Sequence, residues 1–197
     1  MPTVVLRPDA EISSGSWNNE SGSGFNVAKI NDASTSTYVY NASANQSFVV
    51  SLNNTSGLAG ATFNNFIVTA ILQKHGPRGA DASFEINVGD SSSTTTFGSI
   101  SDATFVTTNF SPTTINAGAI SFGGGVTASD VDDMRIQLTG TDGTQTRIFE
   151  LFVTIDYTAA SAGPTVHTVN TVAEANIATI KGVAHANIAE INTVTFD

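Results

Sequence analysis

Short segments of alternating apolar and polar residues run from Thr3 to about Tyr157, and clusters of Gly, Asn, Ser and Asp separate them. Alternation with a period of two is typical of strands that bury one face. Regularly spaced turn signals are typical of sandwiches and barrels. Helical periodicity is almost absent from this part of the chain. We therefore predict an all-β body, in which about eight to ten strands form two packed sheets.

The clearest predicted strand is Ile148 to Tyr157, because its apolar residues recur at every second position. Before it lies a second alternating segment, Met134 to Thr139, and the connection contains Asp142-Gly143. Asp-Gly is favoured in tight hairpin turns, where φ must be positive. The pattern predicts an antiparallel hairpin of these two strands. Phe149, Leu151, Val153, Ile155 and Tyr157 should share one face, and Glu150, Thr154 and Asp156 the other.

Eight further segments are predicted strands: Thr3 to Arg7, Thr37 to Asn41, Gln46 to Leu52, Asn65 to Leu72, Ser83 to Val88, Thr94 to Ile100, Thr104 to Asn109 and Thr113 to Phe122. One helical turn is predicted near Asp130, Asp132 and Asp133. Thr127 or Ser129 would cap it, since hydroxyls accept hydrogen bonds from the first helical N–H groups and carboxylates are favourable there. A calcium site on these aspartates is the weaker alternative, because no Gly-containing calcium loop surrounds them.

Trp17 is the only tryptophan, and it lies in a polar stretch of Ser, Gly and Asn. Two interpretations are open. The indole plugs an edge of the sandwich, as large aromatics usually do, or it is exposed and contacts a ligand. In the second case Tyr38 and Tyr40 would be the accompanying contact residues.

The chain changes character after residue 158. A small-residue linker over 159–169 leads to a tail over 170–197 that contains an eleven-residue repeat. Such a period could form a helix with right-handed supercoil, but Gly182 and the Thr-Val pairs favour short helical turns between extended links. So few repeats cannot bury their own apolar residues, so they must pack on the body, on sister chains or on another protein, and we favour another chain. We predict that the tail mediates oligomerisation or docking through Val172, Ile177, Ile180, Val183, Ile188, Ile191 and Val194.

Composition excludes several classes of function. The chain has 7 Lys and Arg against 17 Asp and Glu, a net charge of −10, and the basic residues are scattered. No stripe is available to neutralise phosphates, so nucleic acid is not an expected partner. There is no Cys, and the three His lie far apart without ligand spacing. We predict no catalytic, cofactor or metal site and no enzymatic activity. No apolar segment approaches the roughly 20 residues of a spanning helix, so a membrane is not an expected partner either.

Several segments resemble jelly-roll, galactose-binding-like β-sandwich domains of structural proteins from tailed bacteriophages. The resemblance is carried by Val5-Leu6-Arg7-Pro8, Trp17, Val27 to Asp32, Thr37 to Val39, Asp130 to Ile136 and Ile155 to Tyr157. The tail segment Val183 to Val194 is similar to the Ala-Asn-Ile-Ala-Lys-Ile-Asn-Gly-Val repeats of phage particle proteins. Thr179 and Glu190 replace the usual Lys, and Thr171 and Thr193 the usual Gly.

This resemblance implies a virion protein assembled in the host cytoplasm, with a jelly-roll sandwich over residues 1–158. We expect a non-enzymatic capsid decoration or cement protein, a homo-oligomer such as a trimer, whose tail contacts a major capsid or tail protein. One alternative is a tail-fibre or baseplate module that binds host glycans through Trp17, Tyr38 and Tyr40. A second alternative is a self-assembling filament subunit.

Overall fold

The computed structural model describes residues 1–41, 44–75, 82–140 and 145–160, together with four two-residue strands between 168 and 184. The chain divides into two compact units, Met1–Ala159 and Ala160–Asp197. The first unit contains two antiparallel sheets of seven and five strands. The prediction of an all-β sandwich is confirmed.

Twelve strands of the first unit are described. In chain order they are β1 (Thr3–Leu6), β2 (Pro8–Ser13), β3 (Trp17–Asn19), β4 (Val39–Asn41), β5 (Gln46–Leu52), β6 (Thr62–His75), β7 (Ala82–Gly89), β8 (Gly98–Thr107), β9 (Thr113–Asn116), β10 (Ile120–Ser121), β11 (Arg135–Gly140) and β12 (Gln145–Thr158). A 3-10 helix spans Val27–Ile30, and helix α1 spans Ala128–Asp132.

We call the seven-stranded sheet sheet 1 and the five-stranded sheet sheet 2. In sheet 1, β12 is central: it pairs with β6 along one side and with β4 and β1 along the other. Strands β9 and β10 extend the sheet beyond β6, and β3 extends it beyond β4. Sheet 2 has the order β2-β5-β11-β7-β8.

The core lies between the sheets and is built by the alternate residues of their long strands. Strand β6 contributes Phe66, Val68, Ala70 and Leu72, all fully buried, and β12 contributes Leu151, Val153 and Ile155. Sheet 2 supplies the facing layer, with Phe48 and Val50 from β5, Phe84, Ile86 and Val88 from β7, and Ile136 and Leu138 from β11. Burial of this apolar surface is the main stabilising contribution in a chain without disulfides.

Helix α1 forms at the predicted helical turn, and of the two candidate caps, Thr127 and Ser129, the structure shows Thr127 as the N-cap. The Thr127 side chain accepts a hydrogen bond from the Asp130 backbone N–H, and the Asp130 carboxylate accepts one from the Thr127 N–H. This reciprocal capping box satisfies donors that a helix leaves free at its N-terminus. Asp132 in turn accepts hydrogen bonds from the backbone and hydroxyl of Thr55, which ties the helix to the loop after β5.

The predicted hairpin of Met134–Thr139 with Ile148–Tyr157 is wrong. Both segments are strands, but β11 lies in sheet 2 between β5 and β7, whereas β12 lies in sheet 1. The connection therefore crosses from one sheet to the other. Alternation specifies that each strand has one buried face, and strands of two facing sheets satisfy that requirement as well as a hairpin does.

The predicted face of β12 is correct for only part of its length. Leu151, Val153 and Ile155 are buried together, but the pairing with β6 shifts register between Ile148 and Glu150 and again between Asp156 and Tyr157. A bulge adds one residue and so exchanges the faces on either side of it. Ile148 therefore belongs to the core, and Phe149 lies outside the core cluster.

Other predicted boundaries also change. The segments Thr94 to Ile100 and Thr104 to Asn109 are joined in one strand, β8, and Thr113 to Phe122 is divided into β9 and β10. Strands β2 and β3 were not predicted. Neither shows apolar alternation: five of the six residues of β2 are exposed, and β3 has only three residues.

The second unit contains two short antiparallel strand pairs. β13 (Thr168–Val169) pairs with β14 (Val172–Ala173), and β15 (Thr179–Ile180) pairs with β16 (Val183–Ala184). These extended segments are incompatible with one continuous helix through the tail. The predicted helical turns span residues 173–178 and 184–189. Their first residues, Ala173 and Ala184, belong to β14 and β16 instead, and the remaining positions lie outside the described residues.

Candidate functional site

The most distinctive surface of the sandwich is the outer face of sheet 1. Directly paired residues of neighbouring strands point to the same side of a sheet, so the register places outward side chains in rows. The rows that cross the centre of this face are Val5–Thr154–Ile67, Phe152–Thr69–Asn116 and Glu150–Ile71–Thr114. We call these nine residues the central face.

Four of the nine residues of the central face are apolar, although this face does not face the core. Val5 is 44% exposed, and Ile67, Ile71 and Phe152 are partly exposed. Thr69, 5% exposed, donates a hydrogen bond to Asn116 Oδ1 at 2.7 Å across the β6–β9 pair. Thr154, Thr69 and Glu150 lie among these four apolar side chains, so the face mixes apolar and polar groups, as protein interaction surfaces commonly do.

The outer face of sheet 2 provides a contrast within the same molecule. Its rows are Ser47–Thr139–Glu85 and Val49–Gln137–Asn87, so five of the six residues are polar. They bond to one another: Ser47 and Thr139 hydroxyls are 2.8 Å apart, and Asn87 Nδ2 donates to Gln137 Oε1 at 3.3 Å. This is the outer face expected of a solvated antiparallel sheet.

Tyr38 and Tyr40, two of the predicted ligand contacts, lie at one end of the outer face of sheet 1. Tyr40 on β4 is paired with Arg147 on β12. The Arg147 guanidinium carbon lies 4.3 Å from the centre of the Tyr38 ring, and the rings of Tyr38 and Phe149 are 5.5 Å apart in an edge-on contact. The cation and the second ring therefore already contact the Tyr38 ring, which reduces the surface available for stacking a ligand.

Trp17, the third predicted ligand contact, is a core residue. Its side chain is 2% exposed, and its Nε1–H donates to the Gln46 carbonyl oxygen at 3.0 Å. The ring makes a T-shaped contact with Phe48 at 4.9 Å. Of the two interpretations of Trp17, the structure shows burial at the sandwich edge. The indole is not available to a ligand, and the structure does not place it with Tyr38 and Tyr40 on one surface.

An ion pair joins Glu150 of the central face to Arg7. Arg7, which follows β1, approaches Glu150 of β12 with 2.5 Å between Nη1 and Oε2. The Glu150 residue is only 3% exposed, whereas 38% of the Arg7 side chain is exposed. The Arg7 guanidinium also lies 5.1 Å from the centre of the Phe152 ring. Among the described residues, Glu150 Oε1 has no hydrogen-bond partner, so Arg7 is the main compensation for this buried carboxylate.

The carboxylates of the three aspartates near α1 all accept hydrogen bonds, that of Asp130 within the helix cap and those of Asp132 and Asp133 from neighbouring loops. The Ser91 hydroxyl and, next, the Ser91 backbone N–H donate to Asp133 and hold the pKa of its carboxyl below the ordinary value. The Thr127 hydroxyl and backbone N–H lower the pKa of Asp130 in the same way. Within the ranges that the structure describes, no group of three or more acidic or His side chains is placed to hold a metal ion. No helix of those ranges is long and apolar enough to cross a membrane.

The predicted tail residues are only partly described. Val172, Ile180 and Val183 lie in the short strands β14, β15 and β16. Ile177, Ile188, Ile191 and Val194 lie outside the described residues. The docking role of these seven residues remains a prediction.

The central face was not predicted from the sequence, although a signal for it exists. The segment from Phe66 to Leu72 is apolar at six of its seven positions, with Thr69 as the exception. A strand that is apolar on both sides is typical of a sheet covered on both faces. Comparison of the sequence with known protein families and with characterised proteins gives no match.

Proposed function

We propose that this chain is a non-enzymatic structural protein of a bacteriophage virion, a capsid decoration or cement protein that assembles through its C-terminal tail. The observation that carries the proposal is the agreement between the sequence repeat and the strand pairing of the tail. The two strand pairs lie eleven residues apart, the period of the repeat, although the first pair begins in the linker: Val169 pairs with Val172, and Ile180 with Val183.

Two-stranded pairs of this length are not stable by themselves. Each has only two residues per strand, and even a longer isolated hairpin is marginal in water. Repeats become stable when neighbouring units or another surface cover their apolar residues. The recurring Val and Ile of the tail therefore support a role in binding other chains, where burial contributes about 25 cal/mol per Å² of apolar surface.

We also infer that the body has jelly-roll topology, which supports the virion proposal. Apart from β1, β2 and β3, the chain forms eight successive strands if β9 and β10 are taken as one. The first pairs with the eighth (β4 with β12), the second with the seventh (β5 with β11), the third with the sixth (β6 with β9 and β10), and the fourth with the fifth (β7 with β8). Pairing of this kind is that of one long hairpin rolled into two sheets.

The glycan-binding alternative has less support. Trp17 is buried, and the Tyr38 ring is in contact with Arg147 and Phe149. A filament subunit would use the same tail as a segment donated to the next copy, so it differs from a decoration protein in the number of copies that assemble. Counting the copies per purified particle by quantitative mass spectrometry tests the virion role. Hundreds of copies support a capsid coat. A handful contradicts the decoration role and favours the tail-fibre or baseplate alternative, and absence from the particle contradicts the virion role.

The tail itself is tested by substitution in the full-length protein. Ile177→Asp with Ile188→Asp places charge at two positions where the repeat keeps Ile. The matched control is Thr179→Glu with His185→Glu, because the neighbouring units already carry Glu190 and Glu174 at these positions. We expect the first pair to reduce the assembled mass in light scattering and the control pair to preserve it, since a buried unpaired charge is costly. Equal masses for both pairs would contradict the proposal.

A further inference from the structure

The outer face of sheet 1 differs in charge from the rest of the protein. The charged residues of its rows and of the ion pair beside them are Arg7, Arg147, Glu150 and Asp156, two positive and two negative. The whole chain has a net charge of −10, so that entire excess belongs to residues elsewhere. Two copies of so acidic a protein repel one another, and this neutral face adds no net charge to that repulsion.

The size of the face is that of a small interface. From the row of Asn65 to the row of Gln73, β6 spans nine residues; the sheet is three strands wide at the five central rows and four or five at the others. With about 3.3 Å per residue and about 4.8 Å between strands, the face covers roughly 500 Å² in projection. This area is below the about 800 Å² that each partner buries in a standard interface and corresponds to a weak contact.

We propose that the outer face of sheet 1 is a self-association surface, on which a second copy of this chain packs its own sheet 1 about a two-fold axis. The apolar centre formed by Val5, Ile67, Ile71 and Phe152 would be covered by the same residues of the partner. A strongly charged partner would find no excess of opposite charge on a neutral face. An identical acidic chain can approach this face without added electrostatic repulsion. Two-fold contacts use the same patch on both chains, so each substitution acts twice in the interface. This surface is distinct from the tail.

Cross-linking tests the proposal in the full-length protein, because the chain contains no Cys and a single introduced thiol is unambiguous. Thr154 lies in the middle of the row Val5–Thr154–Ile67 and is partly exposed. Thr139 is a matched control: it is also a partly exposed Thr in the middle of a sheet, on the outer face of sheet 2. Thr154→Cys and Thr139→Cys are treated with a flexible bis-maleimide that spans two packed sheets, about 10 Å apart.

We expect Thr154→Cys to give a covalent dimer in at least roughly tenfold higher yield than Thr139→Cys. Any association through the tail is the same in both proteins, so the difference reports the sheet face alone. Adding Val5→Lys to Thr154→Cys should abolish the dimer, while adding Val49→Lys from the outer face of sheet 2 should not. Both lysines replace partly or fully exposed residues, and the Trp17 emission spectrum verifies that each variant is folded. Equal yields from the two cysteines, or a dimer that survives Val5→Lys, would overturn the proposal.

Discussion

Arg7 and Glu150 form a contact of 2.5 Å between residues that are 143 positions apart in the chain. Arg7 follows the first strand, and Glu150 belongs to the last strand of the sandwich, so this ion pair joins the beginning of the fold to its end. The carboxylate is buried beside the β12 bulge, while the guanidinium reaches solvent. The Arg7 guanidinium therefore compensates the charge of the Glu150 carboxylate, which the fold removes from water.

Arg7→Met should destabilise the sandwich more than the loss of a surface ion pair would. The substitution keeps much of the apolar stem but leaves the Glu150 carboxylate buried without its cation. We expect a loss of about 2–3 kcal/mol in the free energy of urea unfolding, reduced from the value for a fully buried pair because Arg7 is partly exposed.

The partner substitution distinguishes lost charge compensation from lost packing. Glu150→Gln in the Arg7→Met background removes the uncompensated charge and should recover more than half of the lost stability. If the double variant is as unstable as Arg7→Met alone, the account of this ion pair is incorrect.

Trp17→Ala should be among the most destabilising single substitutions in the body. It removes a side chain that is 2% exposed, its contact with Phe48 and its hydrogen bond to the Gln46 carbonyl. We expect a loss of about 3–5 kcal/mol, the range for truncation of large buried aromatics. Circular dichroism during urea unfolding measures this loss of stability.

Ile12→Ala is the control for Trp17→Ala, because Ile12 is 49% exposed on the edge strand β2 and its truncation should change stability by less than about 0.5 kcal/mol. A Trp17 variant as stable as this control would show that the indole does not contribute to the core.

The caps near α1 should make stability depend on pH in the acid range. The pKa values of Asp133 and Asp130 are lowered in the folded protein, mainly by the Ser91 and Thr127 hydroxyls. A lowered pKa contributes stability that is complete above the unfolded value, about 4, and is lost as the pH falls through the folded value. Ser91→Ala and Thr127→Ala should therefore lower the urea midpoint clearly at about pH 6 and much less at about pH 3.

Thr95→Ala is the matched control for these hydroxyls. Thr95 is exposed and its hydroxyl contacts the Ser93 hydroxyl, not a carboxylate. Its effect on the urea midpoint should be the same at both pH values. A difference as large as that of Ser91→Ala would mean that the carboxylate bonds are not the cause of the pH dependence.

Features encoded by local patterns could be predicted from the sequence. Alternation located β5 to the residue, and the hydroxyl before a run of aspartates located the α1 cap. Features that depend on long-range pairing could not. Nothing in the segments of β11 and β12 specifies that they belong to different sheets, since a half-buried strand has the same pattern in either one. The bulge at Phe149 arises from the pairing of β12 with β6, and it changes which residues of β12 enter the core.

In the candidate site too, local sequence patterns identify single residues, whereas their contacts depend on long-range strand pairing. Tyr38 and Tyr40 were identified as an aromatic pair, but the position of Arg147 against the Tyr38 ring follows from the β4–β12 register, which unites residues about a hundred positions apart. The central face likewise combines Val5, Phe152, Ile67 and Ile71 from three strands. Ile67 and Ile71 lie in a segment that is apolar on both sides, but only the order of strands in sheet 1 makes them neighbours of Val5 and Phe152.

The central claim is that the repeat tail joins chains, and the solution mass of two proteins tests it most directly. Light scattering is measured side by side on the full chain and on residues 1–160, which retain every strand of the sandwich through Thr158. We predict that the full chain forms a trimer or larger assembly. Residues 1–160 should keep the buried-Trp17 emission of a folded sandwich but should form assemblies of fewer chains. The same number of chains per assembly in the two proteins would contradict the claim.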